Sequence, residues 1–242
     1  MVCLHHGTGC SHSWLKFARS FAQKGYDVVA FDRLGYGDSP ALSTRDLPRE
    51  FLLDSVQQVV SVLNSLALRN PLCLVGHSDG ASIALMTASL HPERVACVVA
   101  EAPHMKIGAY ESPRLLRGFD EFEKTIGKDP RYQAAMQRYH GSTWRGVESR
   151  WKRYWTNQNF HDWDQMPMLD GVVCPVLVVH GESDPFFSLQ HSEDIVARLH
   201  DGRLICVPKA NHSIHQERAR EFNHSVCGFL HNHWTKSNFS KL

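Results

Sequence analysis

The chain has 242 residues and 26 Lys and Arg against 25 Asp and Glu, a formal net charge of +1. That length suits one α/β domain with a substantial core and room for an inserted subdomain. The balanced charge, without a basic block, argues against nucleic acid or an anionic membrane as partner, and no segment approaches the roughly twenty apolar residues of a membrane helix.

Val2 to His5 reads as a strand running into the loop His5-His6-Gly7-Thr8-Gly9. Trp14 to Gln23 has the pattern of a helix closed by Gly25, and Tyr26 to Phe31 is the next strand. A polar loop, Asp32-Arg33-Leu34-Gly35-Tyr36-Gly37-Asp38-Ser39, precedes Phe51 to Leu68, where apolar residues recur at helical spacing. Pro71 to Val75 is a short apolar run of the kind that forms a buried parallel strand, and Ala81 to Ala88 beyond it is small-residue-rich and helix-compatible. Arg94 to Ala100, Pro175 to His180 and Arg203 to Val207 are further strands. Helices over Leu189 to Leu199 and Glu217 to His231 separate and follow the last two. Strands alternating with helices predict an α/β fold with a mostly parallel, doubly wound sheet, and ligands collecting at the carboxyl ends of its strands.

Residues 105–171 break this alternation, with no strong strand and four of the six tryptophans. They read as a helical cap inserted into a core of residues 1–104 and 172–234, with 235–242 as a C-terminal tail. Trp151, Tyr154 and Trp155 share one helix face by their spacing. That stripe either packs the cap onto the sheet or, through Trp151 and Trp155, lines a substrate pocket.

Between strand and helix stands Gly76-His77-Ser78-Asp79-Gly80. A serine at such a turn is a nucleophile elbow: the sharp bend exposes its oxygen, and side chains at Gly76 and Gly80 would collide as the helix folds back. The serine needs a histidine base and an acid to orient it. Asp184 follows the strand Pro175 to His180, and His212 follows the strand Arg203 to Val207, so the order serine, acid, histidine is the one this turn demands. Among sixteen histidines His215 is the second candidate base. Glu101, at another strand exit, is the second candidate acid, ahead of Glu182 and Asp162. The backbone N–H groups of Thr8 and Asp79 are the candidate oxyanion hole. The Asp79 carboxylate leaves two readings open: it offsets a substrate ammonium, or it turns to solvent or caps a helix end. The adjacent His5 and His6 lack metal-ligand spacing, so neither a metal nor another cofactor is expected.

Seven cysteines is an odd number, and Cys3, Cys73, Cys97, Cys174 and Cys206 fall in or beside apolar strand-like runs. Cysteine there acts as a small buried hydrophobe, which favours a reducing compartment. The terminal Ser240-Lys241-Leu242 is the tripeptide read by the peroxisomal import receptor, predicting a peroxisomal location in a eukaryote and a cytoplasmic one otherwise.

Taken together, the glycine loop, Phe31 to Ser39, the elbow, the Asp184 loop and the His212 loop resemble the α/β-hydrolase fold family across nearly the whole chain, most weakly across the cap. The elbow, with Cys174 to Pro185 and Asn211 to His215, is similar to the valacyclovir hydrolase group, also called biphenyl hydrolase-like proteins. The resemblance implies a cofactor-independent serine hydrolase of small carboxylic esters, α-amino-acid esters in that group, with Ser78, His212 and Asp184 as its triad and Asp79 at the substrate amine. Related families cleave carbon–carbon bonds of ketoacids with the same triad, and a ligand receptor that keeps the triad with little turnover is a further alternative. Family members carry one or two strands before the glycine loop, whereas Met1 lies almost at it. The first sheet edge is therefore expected to be missing and exposed unless a partner, such as a second copy in a homo-oligomer, covers it.

Overall fold

A computed structural model describes residues 1–42, 46–108, 111–157 and 162–234. The tail at 235–242, including Ser240-Lys241-Leu242, lies outside the described residues. Six strands, β1 (Val2–Leu4), β2 (Val29–Ala30), β3 (Leu72–His77), β4 (Val95–Glu101), β5 (Val176–Gly181) and β6 (Gly202–Val207), form one parallel sheet in the order β2-β1-β3-β4-β5-β6. The chain steps outward from β1 to β2, then crosses back to place β3 on the other side of β1. The loops leaving β1 and β3 therefore diverge and open a crevice at the carboxyl ends of the strands, where such sheets hold their ligands.

Because side chains alternate along a strand, β4 sends Val98 and Ala100 to one face and Cys97 and Val99 to the other. The first face is covered by α2 (Phe51–Ser65), α3 (Asp79–Leu90) and α7 (Leu189–Arg198), the second by α1 (Leu15–Ala22) and α9 (Ala219–His233). Burial on both faces is why β3, β4 and β5 read as unbroken apolar runs.

Two elements differ from expectation. The strand expected over Tyr26 to Phe31 shrinks to Val29–Ala30, because it is the edge of the described sheet and its partner there, β1, is three residues long. Tyr26 and Val28 pack against the second face instead. The helix expected from Glu217 starts earlier as α8 (Ile214–Glu217), breaks at Arg218 and resumes as α9. Cys206, expected to be buried, is exposed because β6 is the opposite sheet edge and is only partly covered.

Between β4 and β5 the chain forms α4 (Glu111–Lys124), α5 (Pro130–His140) and α6 (Trp144–Thr156). The two ends of this insertion are tied together: Ile107 N–H donates to the Trp163 carbonyl at 2.8 Å, and Gln165 N–H donates to the Met105 carbonyl at 2.6 Å. Leu115 and Phe119 of α4 and Trp151, Tyr154 and Trp155 of α6 belong to the same buried cluster as α2 and α3.

Candidate active site

Ser78 stands at the turn from β3 into α3 with φ 55 and ψ −120, a left-handed backbone held by the packing around it. A Cβ on Gly76 would overlap the Gly80 carbonyl, and one on Gly80 would overlap the Leu4 carbonyl, so the bend closes only with glycine at both positions. The hydroxyl Oγ of Ser78 lies 2.9 Å from His212 Nε2, and His212 Nδ1 lies 2.6 Å from Asp184 Oδ2. The three residues come from loops after β3, β5 and β6, so the crevice brings together side chains that are up to 134 residues apart in sequence.

Asp184 is fully buried, and its other oxygen accepts the N–H groups of Phe186 at 2.8 Å and Phe187 at 3.2 Å. Burial alone would raise its pKa, but the His212 imidazole and these donors hold it below the usual carboxylate value. For His212 burial works downward, and the Asp184 carboxylate outweighs it, leaving the imidazole above the ordinary histidine value. This arrangement can take a proton from Ser78 and stabilise the imidazolium that results.

The competitors are engaged elsewhere. Glu101 accepts from the His215 backbone N–H at 2.9 Å and lies 2.7 Å from His215 Nδ1, so the second-choice acid and base pair with each other. Asp162 pairs with Arg49 at 2.9 Å, and Glu182 accepts from the Lys209 N–H at 2.9 Å. His77, between the two histidine groups, donates from Nε2 to the His212 carbonyl at 2.9 Å and so fixes the backbone of the base. Ligand atoms of His77, Glu101 and His215 lie within 4.8 Å of one another, the one such grouping of potential metal ligands among the described residues. Both Glu101 oxygens and His77 Nε2 already have protein partners there.

Thr8 lies in the loop after β1, and its carbonyl accepts from His140 Nε2 at 3.0 Å, while Nδ1 of the same ring accepts the Gly37 N–H at 2.9 Å. A ring that donates at one nitrogen and accepts at the other is neutral with a fixed tautomer. Burial lowers the His140 pKa in the same sense. The Asp79 N–H is the first amide of α3, at the helix end where the leading N–H groups have no i−4 carbonyl within the helix.

The Asp79 side chain does not reach solvent: it is 2 % exposed, with Oδ2 4.0 Å from the Arg33 guanidinium and Oδ1 3.2 Å from His104 Nε2. Burial raises its pKa, and His104 and Arg33 bring it down again, while burial lowers the pKa of His104 against the pull of the Asp79 carboxylate. Of the two readings left open by the sequence, the turn to solvent does not occur, and Arg33, itself buried and 4.7 Å from the Tyr36 ring, is a protein cation beside this carboxylate. The sequence gives no local sign of Arg33, His104 or His140 in these roles. The same is true of Arg114, which donates from α4 to the Asp184 carbonyl.

Two cavities meet at Ser78 and His212. The larger, about 470 Å³, is lined by Gly7 and Thr8, by Trp151 and Phe122 of the inserted helices, and by Asn211 and Ser213 beside His212. The smaller, about 10 Å³, lies beneath Leu115, Phe119, Trp151 and Trp155, with His104 in its wall. Trp151 borders both cavities and Trp155 the smaller, while Tyr154 packs edge-on against Phe51.

The sequence profile described as "Alpha/beta hydrolase family" matches residues 1–225. The chain is 27% identical over 219 residues to "Serine hydrolase BPHL" of Mus musculus, covering 88% of this chain and 72% of the relative. It is 24% identical over 253 residues to a "2-hydroxy-6-oxo-6-phenylhexa-2,4-dienoate hydrolase" of Comamonas testosteroni, covering 95% of this chain and 87% of the relative. Among solved structures, a thermophilic esterase from Thermogutta terrifontis superposes with a TM-score of 0.73 at 18% identity, over 97% of this chain and 90% of the other, which shows a shared fold.

Proposed function

The chain belongs to the alpha/beta hydrolase family, and from that premise we propose that it is a serine hydrolase of carboxylic esters. Ser78 attacks the acyl carbon as His212 Nε2 takes its proton, and the N–H groups of Thr8 and Asp79 receive the oxyanion. His212 then protonates the leaving alcohol, and water, activated by the same imidazole, releases the acid from the acyl-enzyme. The observation that carries this reading is the continuous contact from Ser78 through His212 to the buried Asp184, 2.9 Å and 2.6 Å long.

Carbon–carbon cleavage of an anionic ketoacid is less well supported. The charged rim of the larger cavity is Glu121 and Glu217, and no lysine or arginine occurs among its described lining residues. An anion entering there meets like charge. A fluorophosphonate should label the wild-type protein and leave Ser78→Ala unlabelled. Equal labelling of the two proteins would remove the proposal.

A further inference from the structure

The unequal size of the two cavities at Ser78 limits which ester can react. An ester has two arms, and the triad distinguishes them: the leaving oxygen must reach His212 Nε2 to be protonated, while the acyl arm stays bonded to Ser78. The larger cavity is walled by Asn211 and Ser213, which flank His212, and its rim residues Glu121 and Gln216 are exposed. It therefore suits an alcohol that must depart toward solvent. The smaller cavity holds only about 10 Å³, roughly the space of one water.

The walls of that small cavity are braced from behind. His104 stacks on Phe187 with ring centroids 4.8 Å apart, and Trp155 stands edge-on to His104 at 4.5 Å and to Trp163 at 5.6 Å. Phe119 meets Trp151 edge-on at 4.6 Å. Ser82 of α3 anchors the wall through both the N–H and the carbonyl of His104, at 3.1 Å and 2.5 Å. A longer acyl chain would have to displace several packed rings at once.

We propose that the protein is selective for esters of short acyl groups, formyl or acetyl, on bulky alcohols, with Leu115 and Phe119 setting the limit. This rests on the ester-hydrolase reading above. The test compares p-nitrophenyl acetate, butyrate and octanoate with the full chain, alongside fluorophosphonate labelling of the same preparation. One methylene changes kcat/KM by about 10- to 200-fold at a tight pocket, so acetate should exceed octanoate by at least about 100-fold. Leu115→Ala, and separately Phe119→Ala, should each shift the preference toward butyrate, and the ratio between esters reads this within whatever folded fraction each variant retains. Labelled wild-type protein that turns over octanoate as fast as acetate overturns the inference alone, as do two labelled variants with the wild-type chain-length profile. Absence of both labelling and ester turnover overturns the ester reading and this inference with it.

Discussion

At the scale of single residues, the proposed mechanism makes the charge on Asp184 govern the pH range over which His212 acts as base. His212 must be neutral to accept a proton, so kcat/KM should rise with pH as the imidazole deprotonates, through a pKa above the ordinary 6.5. Asp184→Asn removes the carboxylate that lifts that pKa, and the acid limb should move to lower pH. The rate itself should fall by about 10⁴-fold as the tautomer is lost, by analogy with the Asp→Asn change in a serine-protease triad. The pH–rate profiles of both proteins measure this, and a limb that stays in place would deny Asp184 its electrostatic role. Asp79 offers a second test. If Arg33, 4.0 Å away, offsets this charge, Asp79→Asn should impair an aminoacyl ester and a neutral ester equally. It should also destabilise the fold by about 3 kcal/mol, because a buried guanidinium loses its counterion. A loss confined to the aminoacyl ester, in paired kinetic assays, would return Asp79 to binding the substrate amine.

At the scale of elements, the positions of Ser78, Asp184 and His212 were legible because each follows a strand whose apolar run announces it, and parallel strands end on one rim. The supporting contacts were not legible, since nothing local marks a histidine in α5 as the partner of a loop 132 residues away. Length failed for a related reason: Tyr26 to Phe31 has the composition of a strand, but pairing decides how much of it becomes one, and β1 offers only three residues. His140 shows what an unforeseen contact can do. It joins α5 to the Thr8 carbonyl and the Gly37 N–H, so it holds the loop that carries one of the two proposed oxyanion donors. His140→Ala deletes two hydrogen bonds of about 1 kcal/mol each, and kcat should fall about 10- to 50-fold with little change in KM. Steady-state kinetics check the split: a rise in KM alone would place the contact in substrate binding.

At the scale of the whole molecule, the sheet separates two hydrophobic clusters, and the three inserted helices are not a third unit. Their side chains Leu115, Phe119, Trp151, Tyr154 and Trp155 pack in one cluster with Leu74, Ile83 and Val98 of the sheet and α3. Polar contacts run the same way, from Arg114 to the Asp184 carbonyl and from Arg150 to the Gly35 carbonyl at 3.0 Å. A body joined to its neighbour by a shared core gains its stability from that neighbour, so the two should unfold together. Four of the six tryptophans lie in residues 105–171 and report mainly on the insertion, whereas far-ultraviolet circular dichroism reports on the whole chain. In a urea titration the two signals should therefore coincide. Trp155→Ala, which leaves a cavity at the join, should lower stability by about 3–5 kcal/mol and shift both transitions by the same amount. Fluorescence that changes at lower urea than the dichroism would mean that the helices over the active site open while the sheet remains folded.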